Sequence, residues 1–545
     1  MKEEYKYVWE KSRNLYRVVI DHPTYDKESQ KTIHHYVTVG KAKEKDGEIE
    51  FGAKYLLEHQ EEISQGQKHE APVAKETVLC GEKIVLDEAA KRTGLKRILS
   101  STLGKENTEK ILQLAYYWNC TGGALCDSET WFKERSFKEL SSPRISELMR
   151  VLTEEYCSSF IKKWVRKKAV SWKVCYDITS ISTYACDIDI AEYGYNRDHE
   201  RWLKQINLAM VTDQITHVPL AFREIRGSVN DAATLVNTVN EFIAYDAKPE
   251  GLIMDKGFWT EANMSYLAEK GVKCMLPVPA KLSWSKKLIK EMKTRVYENA
   301  PYIDTDDEAT YWYTVYDPRK EGRRVWAHLF YSPKLESDRK DNFMRKYHKY
   351  KQELMDGTPV ESHQKFYDEY FELSTRGRGG KLHVNEKYHM DEILANENFG
   401  YWILYTDLEK DAVQALLTYR DRNFIEVGFD DIKGSTDGKR LRVHSRDAVY
   451  GRLFIQFCSQ VLRTELRSMA DSLKKETRKY ATSPHTLLDR MRSLTKIRYK
   501  GKYQDQYVTL SKGQRLILSD IGIVLDFNTD NDAADTEALI NSDHI

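Results

Sequence analysis

The sequence predicts an α/β fold: a mixed sheet flanked by helices, interrupted by a mostly β insertion, with a small N-terminal β arm and helical N- and C-terminal regions. Three observations carry that prediction. "SWKVCYDIT", "QINLAMVTD" and "HVPLAFREI" read as three strands of a meander, the last two joined by a short turn at "QIT". They are followed by helix ("NDAATLVNTVNEFIAYD"), buried strand ("GLIMDKG"), helix ("WTEANMSYLAEKG") and strand ("VKCMLPVP"), an order that gives a mixed sheet with helices on its faces. The pattern then breaks over 283–395 and resumes with the strand "FGYWILYTDL".

The remaining elements follow in order. Residues 1–79 hold strand candidates such as "LYRVVI" and "TIHHYVTVG" and form a β-rich arm. Residues 80–170 turn helical, with "VLDEAAKRTGLKRILSSTLG" and "NTEKILQLAYYW"; short helices joined at "TGL" fit either a helix-turn-helix or an ordinary bundle. The domain built on the mixed sheet is discontinuous, 171–282 and 396–465, and 283–395 is an insertion subdomain with strands, a charged helix and a Gly-Arg loop. Residues 466–545 are read as helical, a candidate for dimerisation, with a basic piece ("DRMRSLTKIRYKGK") and a poorly ordered acidic tail after Asp526.

Bulk properties narrow the class. At 545 residues the chain exceeds one ordinary core. With 41% hydrophobic and 31% charged residues it reads as soluble and globular. The formal net charge of +1 means that any nucleic-acid contact must come from local patches. Eight cysteines without a CxxC pair argue against a zinc ribbon or a disulfide framework and for reduced thiols in the cytoplasm. The N-terminus lacks the apolar run of a signal peptide, and no run approaches the ~20 residues of a membrane span.

Chemistry concentrates in "YRDRNFIEVGFDDIK". On a helical wheel Tyr419, Arg422, Glu426 and Lys433 fall at about 0°, 300°, 340° and 320°, one stripe about 60° wide. Ile425, Phe429 and Ile432 form an adjacent apolar stripe that would hold the helix to a core. Arginine, lysine and tyrosine suit phosphate; a carboxylate beside phosphate makes sense when a divalent cation lies between them. Asp177 and Asp255 stand out because each sits in an apolar strand, where acids are rare. A turn-capping role is the competing reading for Asp255, and Asp187, Asp189 and Asp198 compete with Asp177; the apolar strand favours Asp177. Two strand aspartates and a helix glutamate can bind two Mg²⁺ ions, roughly 3.5–4 Å apart, that clamp the attacking and leaving oxygens of a phosphoryl displacement.

With these residues in place the sequence resembles the DDE transposases of bacterial insertion sequences, in the insertion-sequence four family. Their signature, Y-(2)-R-(3)-E-(6)-K, is matched by Tyr419, Arg422, Glu426 and Lys433 without a gap. "YDITSIS" resembles the first-Asp strand, and "MDKGFWTEAN" the second-Asp motif, with Lys256 where Arg is usual. "GYNRDHERWLKQINLAMV" resembles a Gly-Tyr-Ser-Lys-Asp block, with Asn196 where Ser is usual, and "VHSRDAVYGRLFIQF" the helix after the signature. The resemblance covers about 170–465. It implies a ribonuclease-H-like core with an insertion that helps hold a DNA end, Asp177, Asp255 and Glu426 as metal ligands and catalytic residues, and Tyr419, Arg422 and Lys433 as DNA-phosphate contacts. It implies two Mg²⁺ (Mn²⁺ as a substitute), double-stranded transposon-end and target DNA as partners, a homodimer in a synaptic complex, and a bacterial cytoplasm with association to the nucleoid. An insertion aromatic that stacks on a flipped base is also implied; Trp312 and Trp326 are candidates, though a core role fits each better. The function so implied is cut-and-paste transposition: binding terminal inverted repeats, cleaving, and joining 3′-hydroxyl ends to target. End recognition near "KRTGLKR" is an analogy. The alternatives are a nuclease with the same core and no strand transfer, and an inactive DNA-binding relic.

Overall fold

The structure, a computed structural model, describes residues 5–11, 14–26, 31–58, 74–169, 173–245, 247–296, 300–305, 308–317, 323–376, 381–499 and 505–525. The acidic tail from Asp526 and residues 377–380 of the Gly-Arg loop lie outside them. The chain divides into two compact units: 1–97 with 108–145 and 462–545, and 98–107 with 146–461.

The first unit begins with a four-stranded antiparallel sheet, β1 (Tyr5–Glu10), β2 (Leu15–Asp26), β3 (Lys31–Ala42) and β4 (Glu50–Phe51), in that order. Val18, Ile20, Val39 and Tyr55 form its small core. β5 (Ala74–Leu79) follows, then the helices Gly81–Arg92 and Lys105–Thr121. Glu82, buried, receives Arg135 at 2.6 Å and Arg492 at 3.1 Å, so a carboxylate out of water is held by two guanidinium groups.

The second unit is built on a nine-stranded mixed sheet. β6 (Lys173–Thr183), β7 (Lys204–Asp213) and β8 (Pro219–Arg226) form the antiparallel meander. The helix Leu235–Ala244, β9 (Gly251–Met254), the helix Glu261–Lys270 and β10 (Lys273–Pro277) come next, in the predicted order. β9 lies parallel to β6 on one side and to β10 on the other. Local chemistry sets the helix Glu261–Lys270: the Thr260 hydroxyl accepts the Asn263 amide at its start, and Gly271, at φ +60°, supplies the left-handed residue at its end.

The insertion differs from expectation. β11 (Tyr302–Thr305), β12 (Glu308–Asp317) and β13 (Val325–Tyr331) are antiparallel extensions of the central sheet, joined to β10 through β16 (Tyr401–Thr406). The segment 283–395 is as much helix as strand: it carries Ser283–Lys293 and the 23-residue helix Pro333–Met355, with β14 (Phe371–Arg376) and β15 (Lys381–Glu386) as a separate hairpin. Tyr347, Tyr367, Tyr370 and Phe371 make a local core between that helix and hairpin. The charged helix expected in the insertion is Pro333–Met355; the further helices Ser283–Lys293, Gln364–Tyr370 and Met390–Asn396 are what make the segment less β than expected. Trp312 and Trp326 stand half-buried on β12 and β13.

The sheet of the second unit packs on the helix Asp447–Asp471, which is buried on nearly every face from residue 448 through 461. Phe454 and Phe457 meet Phe160 and Phe222 edge-on or tilted, and the Trp164 indole donates to the Pro219 carbonyl at 2.8 Å. In the C-terminal stretch the basic piece expected as helix is partly strand: β17 (Thr495–Tyr499) pairs with β5 and with β18 (Gln506–Tyr507). Alternation in "TKIRY" is too short to outweigh its charge in a sequence reading, and the partner strand lies over 400 residues away.

Candidate active site

Asp177 lies in the middle of β6, and Asp255 is the first residue past β9. The last rung of the parallel ladder is Tyr176 opposite Met254, so the two aspartates sit side by side one residue further on. Neighbouring strands are about 4.8 Å apart, so this register alone brings two carboxylates together. Asp255 makes no capping bond to the short turn Lys256–Phe258 that follows it, which removes the turn-capping reading.

The third acid comes from a helix. The stretch expected as one helix is two, Ala412–Asp421 and Asn423–Ser435, that meet at Arg422. Arg422 has φ −49° and ψ −21°, and Arg422 and Ile425 make i→i−3 amide bonds, a tightened turn that shifts the two halves off a single wheel. The apolar stripe holds: Ile425, Phe429 and Ile432 are buried. The helix Asn423–Ser435 packs on β6 and carries Glu426 in its first turn.

Arg422 ties the acids together. Its Nη1 donates to Asp177 Oδ2 at 2.9 Å and its Nη2 to Glu426 Oε1 at 2.5 Å. It is 8% exposed, whereas the Glu426 side chain is 52% exposed. Burial works against the Arg422 charge, but Tyr419, Asp177 and Glu426 outweigh it and hold the guanidinium protonated. Burial pushes the Asp177 carboxyl up to about 6; Arg422 and the Ile178 amide pull it down and Asp255 pushes it further up. Burial likewise keeps the Tyr419 phenol protonated, with its ring 5.5 Å from the Arg422 guanidinium. Asp255 acts on Asp177, Arg422 and Tyr419 alike, so all belong to one electrostatic cluster.

The rest of the stripe is engaged elsewhere. Lys433 donates to Asp198 at 2.7 Å, with both side chains largely buried. Asp198, a competitor for the first-ligand role, is thus an ion-pair partner, and Asp189 pairs with Arg446 at 3.3 Å. Two residues were missed in the sequence. Arg197 donates to Asp231 at 2.6 Å and lies close enough to Asp177 to lower its pKa. The signal available was its place in "GYNRDHERW", one residue before Asp198.

The donor set suits a hard divalent cation in kind, since all three acids offer carboxylate oxygen and two of them already converge on one cationic group. As they stand, no three Asp, Glu, His or Cys side chains among the described residues are gathered closely enough to hold a metal ion. Of the three, the Glu426 side chain is 52% exposed.

Neighbouring acids on parallel strands with a third from a facing helix make an acid-rich site where β9 ends beside the middle of β6. Residues 169–462, over half of the chain, match the family described as the transposase DDE domain, and the chain belongs to that family of DNA-cleaving and strand-transferring enzymes. Among solved structures, the cryo-EM structure of a piggyBac transposase synaptic complex with hairpin DNA is similar at 10% identity and a TM-score of 0.32, covering 73% of this chain and 67% of that one. No curated protein matches the sequence. Among the described residues no helix is long and apolar enough to cross a membrane.

Proposed function

We propose that this protein is a cut-and-paste transposase of the insertion-sequence four type, from a bacterial mobile element, with a ribonuclease-H-like catalytic core. It binds the terminal inverted repeats of its element as double-stranded DNA, cleaves at the 3′ ends and joins those hydroxyls to target DNA. A homodimer holds two ends in one synaptic complex. The observation that carries the reading is the adjacency of Asp177 and Asp255, with Glu426 linked to Asp177 through Arg422.

Asp177, Asp255 and Glu426 would hold two divalent ions, Mg²⁺ by preference and Mn²⁺ as a substitute. Bound metal supplies Lewis-acid activation of the attacking hydroxyl and neutralises the leaving oxygen. The chain's own residues do the rest. Asp177 accepts the Ile178 amide at 2.8 Å, which fixes its carboxylate at the strand. Tyr419, protonated, donates to phosphate oxygen. Arg422 and Lys433 are the phosphate-binding cations; each now holds a carboxylate and must exchange it for DNA.

The test is a plasmid carrying the gene's native flanks, incubated with purified protein and Mg²⁺, with cut strands mapped to the nucleotide. Breaks at two inverted ends, lost in Asp177→Ala and in Glu426→Gln while end binding persists, support the reading. Scattered cuts that ignore the ends would replace it with a nuclease, and binding without cuts with a relic.

A further inference from the structure

His217 stands in the turn between β7 and β8 with φ +58°, the left-handed conformation that glycine adopts freely and a side chain adopts at a cost. The turn holds itself without the imidazole. The Asp213 carboxylate, fully buried, accepts the amides of Ile215 and Thr216 at 3.1 and 2.9 Å and the Thr216 hydroxyl at 3.1 Å. The His217 amide returns to the Asp213 carbonyl at 3.0 Å. Backbone strain kept where glycine would relieve it points to a task for the side chain.

The contacts of His217 define that task. Its ring stacks on Phe424, with centroids 4.0 Å apart and planes at 18°. Its Nε2 lies 3.2 Å from Asp421 Oδ2, and the Gln214 side-chain amide donates to the same oxygen at 3.2 Å. Asp421 is the last residue of the helix Ala412–Asp421, and Phe424 lies in the first turn of Asn423–Ser435. One turn therefore grips both sides of the break, with Arg422 between the two points held. The same turn is tied to β6, because the Gln214 amide donates to the Lys173 carbonyl at 3.1 Å. β6 carries Asp177, the acid that Arg422 meets. Glu426 is two residues past Phe424, so a tilt of the second helix at the break would move it.

We propose that His217 is a positioning residue: together with Gln214 it clamps the break at Arg422 and so fixes the Arg422 guanidinium and the Glu426 carboxylate relative to Asp177. The consequence for DNA cleavage rests on the transposase reading; the clamp itself does not.

The test uses the full chain and His217→Gly, which removes the ring and suits φ +58°. The His217 and Asp421 side chains are 38% and 40% exposed, so their pairing adds little to stability and the variant should melt with the parent. The first readout is hydrogen exchange of a peptide across the break in metal-free protein. The Arg422 and Ile425 amides, bonded to the Tyr419 and Arg422 carbonyls, should exchange about 10-fold faster in the variant, with peptides from β6 to β8 unchanged. The second readout is single-turnover cleavage of the plasmid. The rate at saturating protein should fall by about 10-fold or more, since small misplacements of reacting groups are costly, and the protein concentration giving half that rate should stay within about 3-fold. Phe424→Ala breaks the clamp from the other side, so adding His217→Gly to it should change the rate by less than about 3-fold. Unchanged exchange at the break overturns the clamp, as does exchange that rises across the whole second unit. Faster exchange at the break with an unchanged rate, or a further loss of about 10-fold in the double variant, overturns the positioning role. A parent that makes no cut defeats the transposase reading, and hydrogen exchange still decides the clamp.

Discussion

Replacing Arg422 with methionine keeps an unbranched apolar stem and removes the charge that Asp177 and Glu426 share. Arg422 is 8% exposed and the Asp177 side chain 16%. Losing one partner of a buried pair costs about 3–5 kcal/mol, because the other charge is left stranded. The Glu426 share is small, about 0–1 kcal/mol, because that carboxylate is half in water. Asp177 has an escape: it can protonate. Burial already raises its pKa to about 6, and losing Arg422 raises it further. A carboxyl with a raised folded pKa adds stability below its unfolded value and loses it as the pH climbs through the folded value. The loss in Arg422→Met should therefore be about 3 kcal/mol at pH 8 and about 1 kcal/mol at pH 5, where only a hydrogen bond to a neutral acid is missing. Urea unfolding in metal-free buffer, followed by tryptophan fluorescence at both pH values, reads this directly. An equal loss at the two pH values, or none at pH 8, would show that Arg422 is not the counter-charge of Asp177.

Other outcomes follow from other contacts. Lys433→Ala should lower the slope of log affinity against log salt for end DNA by about one, the signature of one phosphate contact; an unchanged slope would leave Lys433 as the partner of Asp198 alone. His328 is fully buried between Thr314 at 2.8 Å and the Glu409 carbonyl at 3.1 Å, and burial holds its pKa below the usual value. The unfolded chain then takes up the proton first, so the parent should lose stability as pH falls below about 6.5, and His328→Gln should show less of that loss in paired urea titrations at pH 7.5 and 5. Phe454→Ala removes a fully buried ring packed 5.2 Å from Phe160 and should cost about 3–5 kcal/mol by chemical denaturation; a loss under about 1 kcal/mol would mean that the site collapses around the gap.

Much of the second unit was legible because its signals are local. The meander and the helix-strand pairs each carry their own period of two or 3.6, and apolar flanks made Asp177 and Asp255 conspicuous. The apolar stripe Ile425, Phe429, Ile432 was readable for the same reason. The break at Arg422 was not, since a single residue in a tightened turn leaves no mark in composition.

The sequence by itself determined the alternation of strands and helices in 173–277 and membership of the transposase DDE family, because these depend on residue type and spacing along the chain. Only the tertiary structure decided who pairs with whom. Parallel register set Asp177 beside Asp255 across a separation that no periodicity spans. Close packing put Arg422 between Asp177 and Glu426, and Lys433 on Asp198, because a charge leaving water takes the nearest opposite charge the fold supplies, wherever that lies in sequence.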